Sequence, residues 1–207
     1  MTVLSWLVFV PLELIWLPMS LFGAILVGYR QMVVSKRLGV SQTAIEVFNG
    51  RWTMDLFEIR ADGGAVALGK VLPNTSTNGL FLCLFPLWVK WKIAGKLSMY
   101  PRVVERGHES IAELVTGRTA YFDEVINRQA SQVEQLVMLG AGYDTRAYGA
   151  LEIGGLTVFE VDQKTTQEHK RAMLRSAGLD ASHVTFTGWM PTADKAARTA
   201  TYHRQEV

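Results

Sequence analysis

The sequence predicts an α/β chain in two dissimilar parts: a partial, doubly wound parallel sheet, preceded by an N-terminal transmembrane helix and a membrane-proximal helical segment. Three observations carry this. Residues 3–29 are almost unbroken apolar sequence. Residues 135–187 alternate short apolar runs with amphipathic ones. Between the first two of those, GAG at 140–142 follows a buried run directly, and a strand ending in acids comes after it. That order of strand, glycine turn, helix, acidic strand, helix and strand is one mononucleotide-binding half of a doubly wound sheet.

The apolar excess is concentrated in the first 95 residues of the 207-residue chain, which has a mean hydropathy of +0.14. VLSWLVFVPLELIWLPMSLFGAILVGY, 3–29, is long enough to span a bilayer, which takes ~20 apolar residues. Its one charge is Glu13. A central Asp or Lys costs roughly 2.5–3.5 kcal/mol, and the surrounding Leu, Ile, Phe, Val and Trp outweigh a comparable cost for Glu. Pro11 and Pro18 kink such a helix without forbidding it. Trp6, Trp16 and Tyr29 suit interfacial aromatic positions. Arg30, Lys36 and Arg37 follow directly, which places the downstream part in the cytoplasm. A signal peptide fits poorly, because no Lys or Arg precedes the apolar run.

The expected organisation is therefore a transmembrane anchor at 1–29 and a basic, amphipathic, membrane-proximal helical region at 30–106. Between Arg30 and Arg106 there are 11 Lys and Arg against 5 Asp and Glu. Within that region GLFLCLFPLWVKWKIAG, 79–95, is apolar but short for a span, and its Trp/Lys alternation suits the headgroup layer. The segment 41–79 reads as two short helices, with turns at Asp62-Gly63-Gly64 and Pro73-Asn74. No dense basic run or nucleic-acid module is present, so nucleic acid is not an expected partner. The one cysteine, Cys83, rules out an internal disulfide, and the four histidines lack metal-ligand spacing.

In the second half, Ser110 and Glu113 have capping-box form, and RTAYFDEVINRQA (118–130) places Phe122, Val125, Ile126 and Gln129 on one helix face, with Arg118 at its start. QLVML, 135–139, reads as a buried strand. Gly140 and Gly142 then let the backbone turn tightly and approach a ligand. A helix is expected over 143–150. Strand 156–162 ends in Asp162, 22 residues after Gly140, the spacing of a ribose-binding carboxylate. A helix over 163–178 and a strand over 183–187 complete the pattern. The third glycine of a dinucleotide fingerprint would fall on Thr145, which favours a ligand without a pyrophosphate.

RTAYFDEVI, QLVMLGAGYDTRAYG and VFEVDQKTTQEHKR together resemble the leucine carboxyl methyltransferase family of class I S-adenosylmethionine-dependent methyltransferases. The likeness is to a bacterial-type branch with a hydrophobic N-terminal extension, and SQTAIEVFNGRWTMDLFEIR also looks like that branch. The resemblance implies S-adenosylmethionine as cofactor and a class I, Rossmann-like sheet. It matches Arg118 to the arginine that pairs with the methionine carboxylate, Gly140 and Gly142 to the turn beneath the cofactor, and Asp162 to the ribose-binding acid, with Glu160 as a lesser contributor. Asp144 is expected to cap the following helix. No catalytic triad is implied, because methyl transfer needs in-line approach rather than acid–base help.

The resemblance is strong over roughly 105–186. The N-terminal half of the cofactor domain is accordingly set at 107–187. Residues 188–207 read as a divergent, disordered tail. The expectation is a C-terminally truncated copy with impaired turnover, in which the third strand exposes an edge that the full sheet covers. The methyl acceptor is open among carboxylates, lipids and small metabolites. Two other readings compete: an NAD(P)-binding oxidoreductase fragment, and a non-enzymatic membrane-bound remnant.

Overall fold

The computed structural model describes residues 2–97, 99–101, 107 and 111–189. Ser110 of the expected capping box and the tail 190–207 lie outside the described residues. Helix α1 (Thr2–Tyr29) carries both prolines without breaking. It runs on through a π-helical segment, Arg30–Val34, into the single-turn α2 (Ser35–Leu38). Gly39 stops it at φ +68, the left-handed conformation that glycine adopts without a Cβ penalty. The stretch Val3–Leu38 is the one helix among the described residues that is long and apolar enough to cross a membrane.

The apolar patch 79–95 is almost entirely helical. It belongs to an 18-residue helix, α5 (Thr77–Ala94), started by the Ser76 side chain, which accepts from the Gly79 amide. This helix packs antiparallel along α1. The pairing runs from Gly23 beside Gly79, through Trp16 on Phe85, to Trp6 under the Lys90 ammonium. Two sequence features explain the fit. Pro86 has no N–H, which leaves the Leu82 carbonyl without its helical donor. Trp16 Nε1 of α1 donates to that oxygen at 3.0 Å, so Trp16 serves as a helix–helix donor and not as the interfacial aromatic expected of it. The backbones also touch: a Cβ on Gly23 would sit 2.6 Å from the Gly79 carbonyl oxygen. Small residues at such a contact let two helices approach closely.

The expected short helices of the connecting region are α3 (Gln42–Leu56) and α4 (Gly63–Gly69). Asp62 begins α4 by accepting from the Ala65 amide, so the Asp-Gly-Gly run is a helix start and not a turn alone. Helix α6 (Ile111–Gln129) precedes β1 (Gln135–Leu139). Strand β2 (Thr157–Gln163), helix α7 (Lys164–Ser176) and strand β3 (Val184–Trp189) follow. The three strands are parallel in the order β1-β2-β3, with Val137 opposite Phe159 and Glu160 opposite Phe186. The chain is thus α/β as expected, with a small parallel sheet among many helices.

Two details differ from the sequence reading. The expected helix over 143–150 is only a 3-10 turn, Arg146–Tyr148. Side-chain bonds from Asp144, Thr145 and Arg146 into the interior take the place of a helical ladder, and Gly149 ends the turn at φ +95. Both β1 and β3 are edge strands, and the exposed apolar residues lie on β1: Val137 is 51% and Leu139 78% exposed. One core joins both halves, with Ile45 and Phe48 of α3 and Leu68 of α4 against Tyr143, Val158 and Leu174.

The Gly23–Gly79 contact is directly testable. Gly23→Leu overpacks the helix pair, a change worth about 1–3 kcal/mol. The solubilised chain should melt several degrees lower, and Cys83, whose sulfur lies beside the contact, should react faster with maleimide. Unchanged melting and thiol reactivity would show that the helices do not pack this way.

Candidate functional site

The bend after β1 is the centre of the site. Gly140 and Gly142 both have positive φ, +64 and +50. Conformation is what demands glycine at 140, because a Cβ there meets nothing within 4 Å. At 142 a Cβ would also press on Ala44 of α3 at 3.0 Å. The bend continues the sheet, since the Gly140 amide donates to the Val161 carbonyl at 2.8 Å. Tyr143 anchors it from below. Its ring meets Phe48 edge-on and its hydroxyl bonds His169 Nδ1 at 2.8 Å. Burial, opposed by a bond to Asn74 and reinforced by Asp162, pushes the Tyr143 phenol up to about 12.

Asp162 stands at the end of β2 against this bend. One carboxylate oxygen accepts from the Gly142 amide and the other from the Gln163 amide at 2.6 Å. Its side chain borders a cavity of about 810 Å³. Gly140, Gly142 and Arg118 of α6 also line that cavity. Four of the five residues singled out in the sequence therefore share one wall. Glu160 is elsewhere. It is 1% exposed, its oxygens accept from Lys170 Nζ at 2.7 Å and the Tyr148 hydroxyl at 2.9 Å, and it does not border the cavity. Burial raises its pKa, with Lys170 pulling the other way. The alternation of β2 explains the split: 160 and 162 point to one face, but 160 is one step deeper, under α7.

A buried ion network, not legible in the spacing, borders the same cavity. Asp144 accepts from Arg51 Nη2 and from Arg146 Nη1, each at 2.6 Å. Arg146 Nε donates to Asp123 of α6 at 2.5 Å. Asp123 also pairs with Arg60, and Arg60 with Asp62. Asp62 accepts from Thr145 Oγ1 at 2.6 Å, so Thr145 is bound into the network. Burial alone would raise the Asp144 carboxyl, but Arg51, Arg146 and Lys170 outweigh it and hold Asp144 well below the usual carboxylate range. Asp144 also accepts from the Arg146 amide at 2.9 Å, so it caps the short turn, not a longer helix.

Arg51 is the residue that sequence reasoning missed. Its side chain is 6% exposed and lines the cavity, yet Nε and Nη1 have no hydrogen-bond partner among the described residues. Buried donors left without acceptors are costly, and a guanidinium with free N–H groups suits a planar anion. The only sequence signal was its place in SQTAIEVFNGRWTMDLFEIR. The cavity thus has the Asp162 carboxylate, a bare backbone bend and the guanidinium groups of Arg51, Arg118 and Arg146 on its lining, within the volume range typical of small-molecule sites.

The sequence model of the leucine carboxyl methyltransferase family matches residues 88–199. The chain belongs to that family. The match runs past Phe186, where the sequence reading placed the end of the strong resemblance. Curated relatives have names that place them among S-adenosyl-L-methionine-dependent methyltransferases. One from Mycolicibacterium paratuberculosis is 36% identical over 95 residues, which is 44% of this chain and 30% of the relative. One from Mycobacterium avium is 35% identical over 75 residues, 36% of this chain and 25% of the relative. One from Mycobacterium tuberculosis is 45% identical over 62 residues, 30% of this chain and 20% of the relative. The chain spans less than a third of the length of each.

The network sets an acid limit on stability. The folded pKa of Asp144 lies below its unfolded value of about 3.9. Its stabilisation is therefore complete above about pH 4 and is lost as pH falls through the folded value. Asp144→Asn should destabilise the chain by about 3–5 kcal/mol at neutral pH, and its stability should change less with pH below about pH 4 than that of the parent. Denaturant melts across pH check this; parallel acid limbs for the two proteins would contradict it.

Proposed function

We propose that this chain forms the cofactor-binding part of an S-adenosylmethionine-dependent methyltransferase held at a membrane by its N-terminal helices. The observation that carries the reading is the Asp162 carboxylate seated on the Gly140–Gly142 bend at the edge of the cavity. The names of the relatives and the family match support the same cofactor.

The residues present suit that cofactor. Asp162 accepts from a ribose diol with the lone pairs its two amide donors leave open. The bend at 140–142 admits the adenosyl group against bare backbone. Arg118 holds the amino-acid carboxylate from α6, and Arg51 faces the same anion from α3 with its two unpartnered nitrogens, Nε and Nη1. When bound, S-adenosylmethionine supplies an electrophilic methyl group on a sulfonium. The protein's part is to orient that centre and exclude water, which makes positioning the main source of rate. The acceptor is a carboxylate or a lipophilic molecule, and the apolar first half favours the lipophilic one. Arg30, Lys36 and Arg37 at the end of the apolar helix favour the cytoplasmic side for the cofactor part.

Calorimetry on the detergent-solubilised full chain tests the binding. S-adenosylmethionine should bind, and Arg118→Ala and Asp162→Asn should each weaken it about 10- to 100-fold, as for loss of a charge-assisted bond. Arg51→Lys, which keeps the charge in the network, should weaken it less than Arg118→Ala. Absence of binding, or tighter binding of a nicotinamide dinucleotide, would overturn the reading.

Glu160→Gln serves as the contrast. It should lower the melting temperature, because Lys170 loses a buried partner, and leave cofactor affinity within about twofold of the parent under conditions where both are folded. A loss of affinity as large as that of Asp162→Asn would place Glu160 in the site after all.

A further inference from the structure

The outer side of α1 is the largest surface feature outside the cavity. The residues of α1 that turn toward α5 recur at helical spacing: Ser5, Phe9, Leu12, Trp16, Ser20 and Gly23 are buried or half-buried. Glu13, the one charge between Val3 and Tyr29, is half-buried as well. Every exposed residue from Val3 to Ile25 is apolar, with Ile15 at 77% and Val3 at 73% exposure. Soluble surfaces rarely carry so large a continuous apolar patch. It also covers most of the circumference that α5 leaves free, whereas a docked protein helix needs only a stripe. Exposed basic residues lie at both ends: Lys36 and Arg37 after α1, Lys92 and Lys96 at the far end of α5. Uncharged lipid tails suit the middle, and anionic headgroups suit the ends.

The direction of the helix pair relative to the cofactor part decides how lipid is met. Both ends of α5 are fastened to α3 and its flanks. At the start, Thr75 Oγ1 bonds Asn49 Oδ1 at 2.5 Å, and Thr77 packs beside Gly69. Near the end, the Trp91 ring lies 5.5 Å from that of Phe57, and Lys92 Nζ reaches Glu58 at 2.9 Å. Helix α5 therefore lies along the polar α3 rather than projecting from it. Helix α1 follows α5 from Gly79 to Lys90 and is held to the same course. Were α1 to cross a bilayer end-on, α5 would cross beside it. The stretch of α3 and its flank from Asn49 to Glu58, which is held along α5, would then lie within the bilayer. A charge there costs several kcal/mol.

We infer that α1 lies in the plane of the membrane, with its outer face sunk into the headgroup–acyl boundary of an anionic bilayer and α5 as its protein-side floor. The chain is then seated on one leaflet and does not pass through it. An in-plane helix sinks ~5–10 Å, a depth that α1 reaches while α3 and the ion network stay in water. This rests on the membrane reading above and changes its geometry. It also brings the cavity close to one leaflet: Ser41 and Ala44, which line it, follow directly on Lys36 and Arg37 at the end of the seated helix.

The test uses the full chain in sealed vesicles of phosphatidylcholine and phosphatidylglycerol. The background is Cys83→Ala, with single cysteines placed by Leu4→Cys, Ile15→Cys or Gln42→Cys. A membrane-impermeant maleimide is applied before and after vesicle lysis, and a fluorophore on position 15 is quenched by lipids brominated at shallow or deep carbons. The in-plane arrangement predicts the same ratio of labelling before lysis to labelling after lysis at 4 and 42, and stronger quenching from the shallow bromine. Complementary fractions at 4 and 42, with deep quenching at 15, would show a spanning helix and overturn the inference while keeping the membrane reading. No quenching at either depth would overturn both. Substituting any of these exposed positions leaves the packed face of α1 intact, and circular dichroism confirms the fold of each variant.

Discussion

One buried ion network holds this molecule together, and the site depends on it. Arg51, Arg60 and Arg146 alternate with Asp62, Asp123 and Asp144 across three separate stretches of chain. The charges balance three against three. Buried ions of this kind seldom add much stability over an apolar substitute, but removing one partner is costly. Their effect here is on specificity of arrangement. The network draws the segment around α3 and α4 onto the bend after β1, and it prevents residues 144–148 from winding into a regular helix. The cavity is what remains between those elements once they are tied.

Helix α3 serves both halves. One face carries Ile45 and Phe48 into the core beside Tyr143 and Val158. Another presents Arg51 to the cavity, and its neighbourhood fastens both ends of α5. The apolar helices and the nucleotide-type sheet are thus two sides of one polar helix, not an anchor and an independent head on a linker. The packing of the apolar helices and the shape of the cavity are then set by the same contacts.

Much of the sheet was legible in the sequence, because strands and glycine bends are local. QLVML matches β1 residue for residue, and the strand ends at Asp162 and Thr187 fall within two residues of those observed. Asp162 could be paired with Gly142 from spacing alone, since a parallel β-α-β unit returns its strands to a fixed register. What escaped was long-range and electrostatic. Nothing near Arg51 in sequence announces Asp144, 93 residues away. The packing of α5 on α1 was hidden too, because it rests on a missing N–H at Pro86 answered by Trp16 from another helix and on two glycines, 23 and 79, that meet only in the fold. The surroundings of Glu160 were hidden for a related reason: strand position shows which face a carboxylate points to, but not that Lys170 and Tyr148 already occupy it.

The central claim is that the glycine bend and the Arg51 side of α3, which line one cavity, hold one ligand together. Amide hydrogen exchange of the solubilised chain, with and without saturating S-adenosylmethionine, tests it most directly. The account predicts slower exchange in two segments together, residues 140–146 and the α3 helix Gln42–Leu56, with α5 unchanged. Protection confined to either segment alone, or appearing only in the apolar helices, would contradict it.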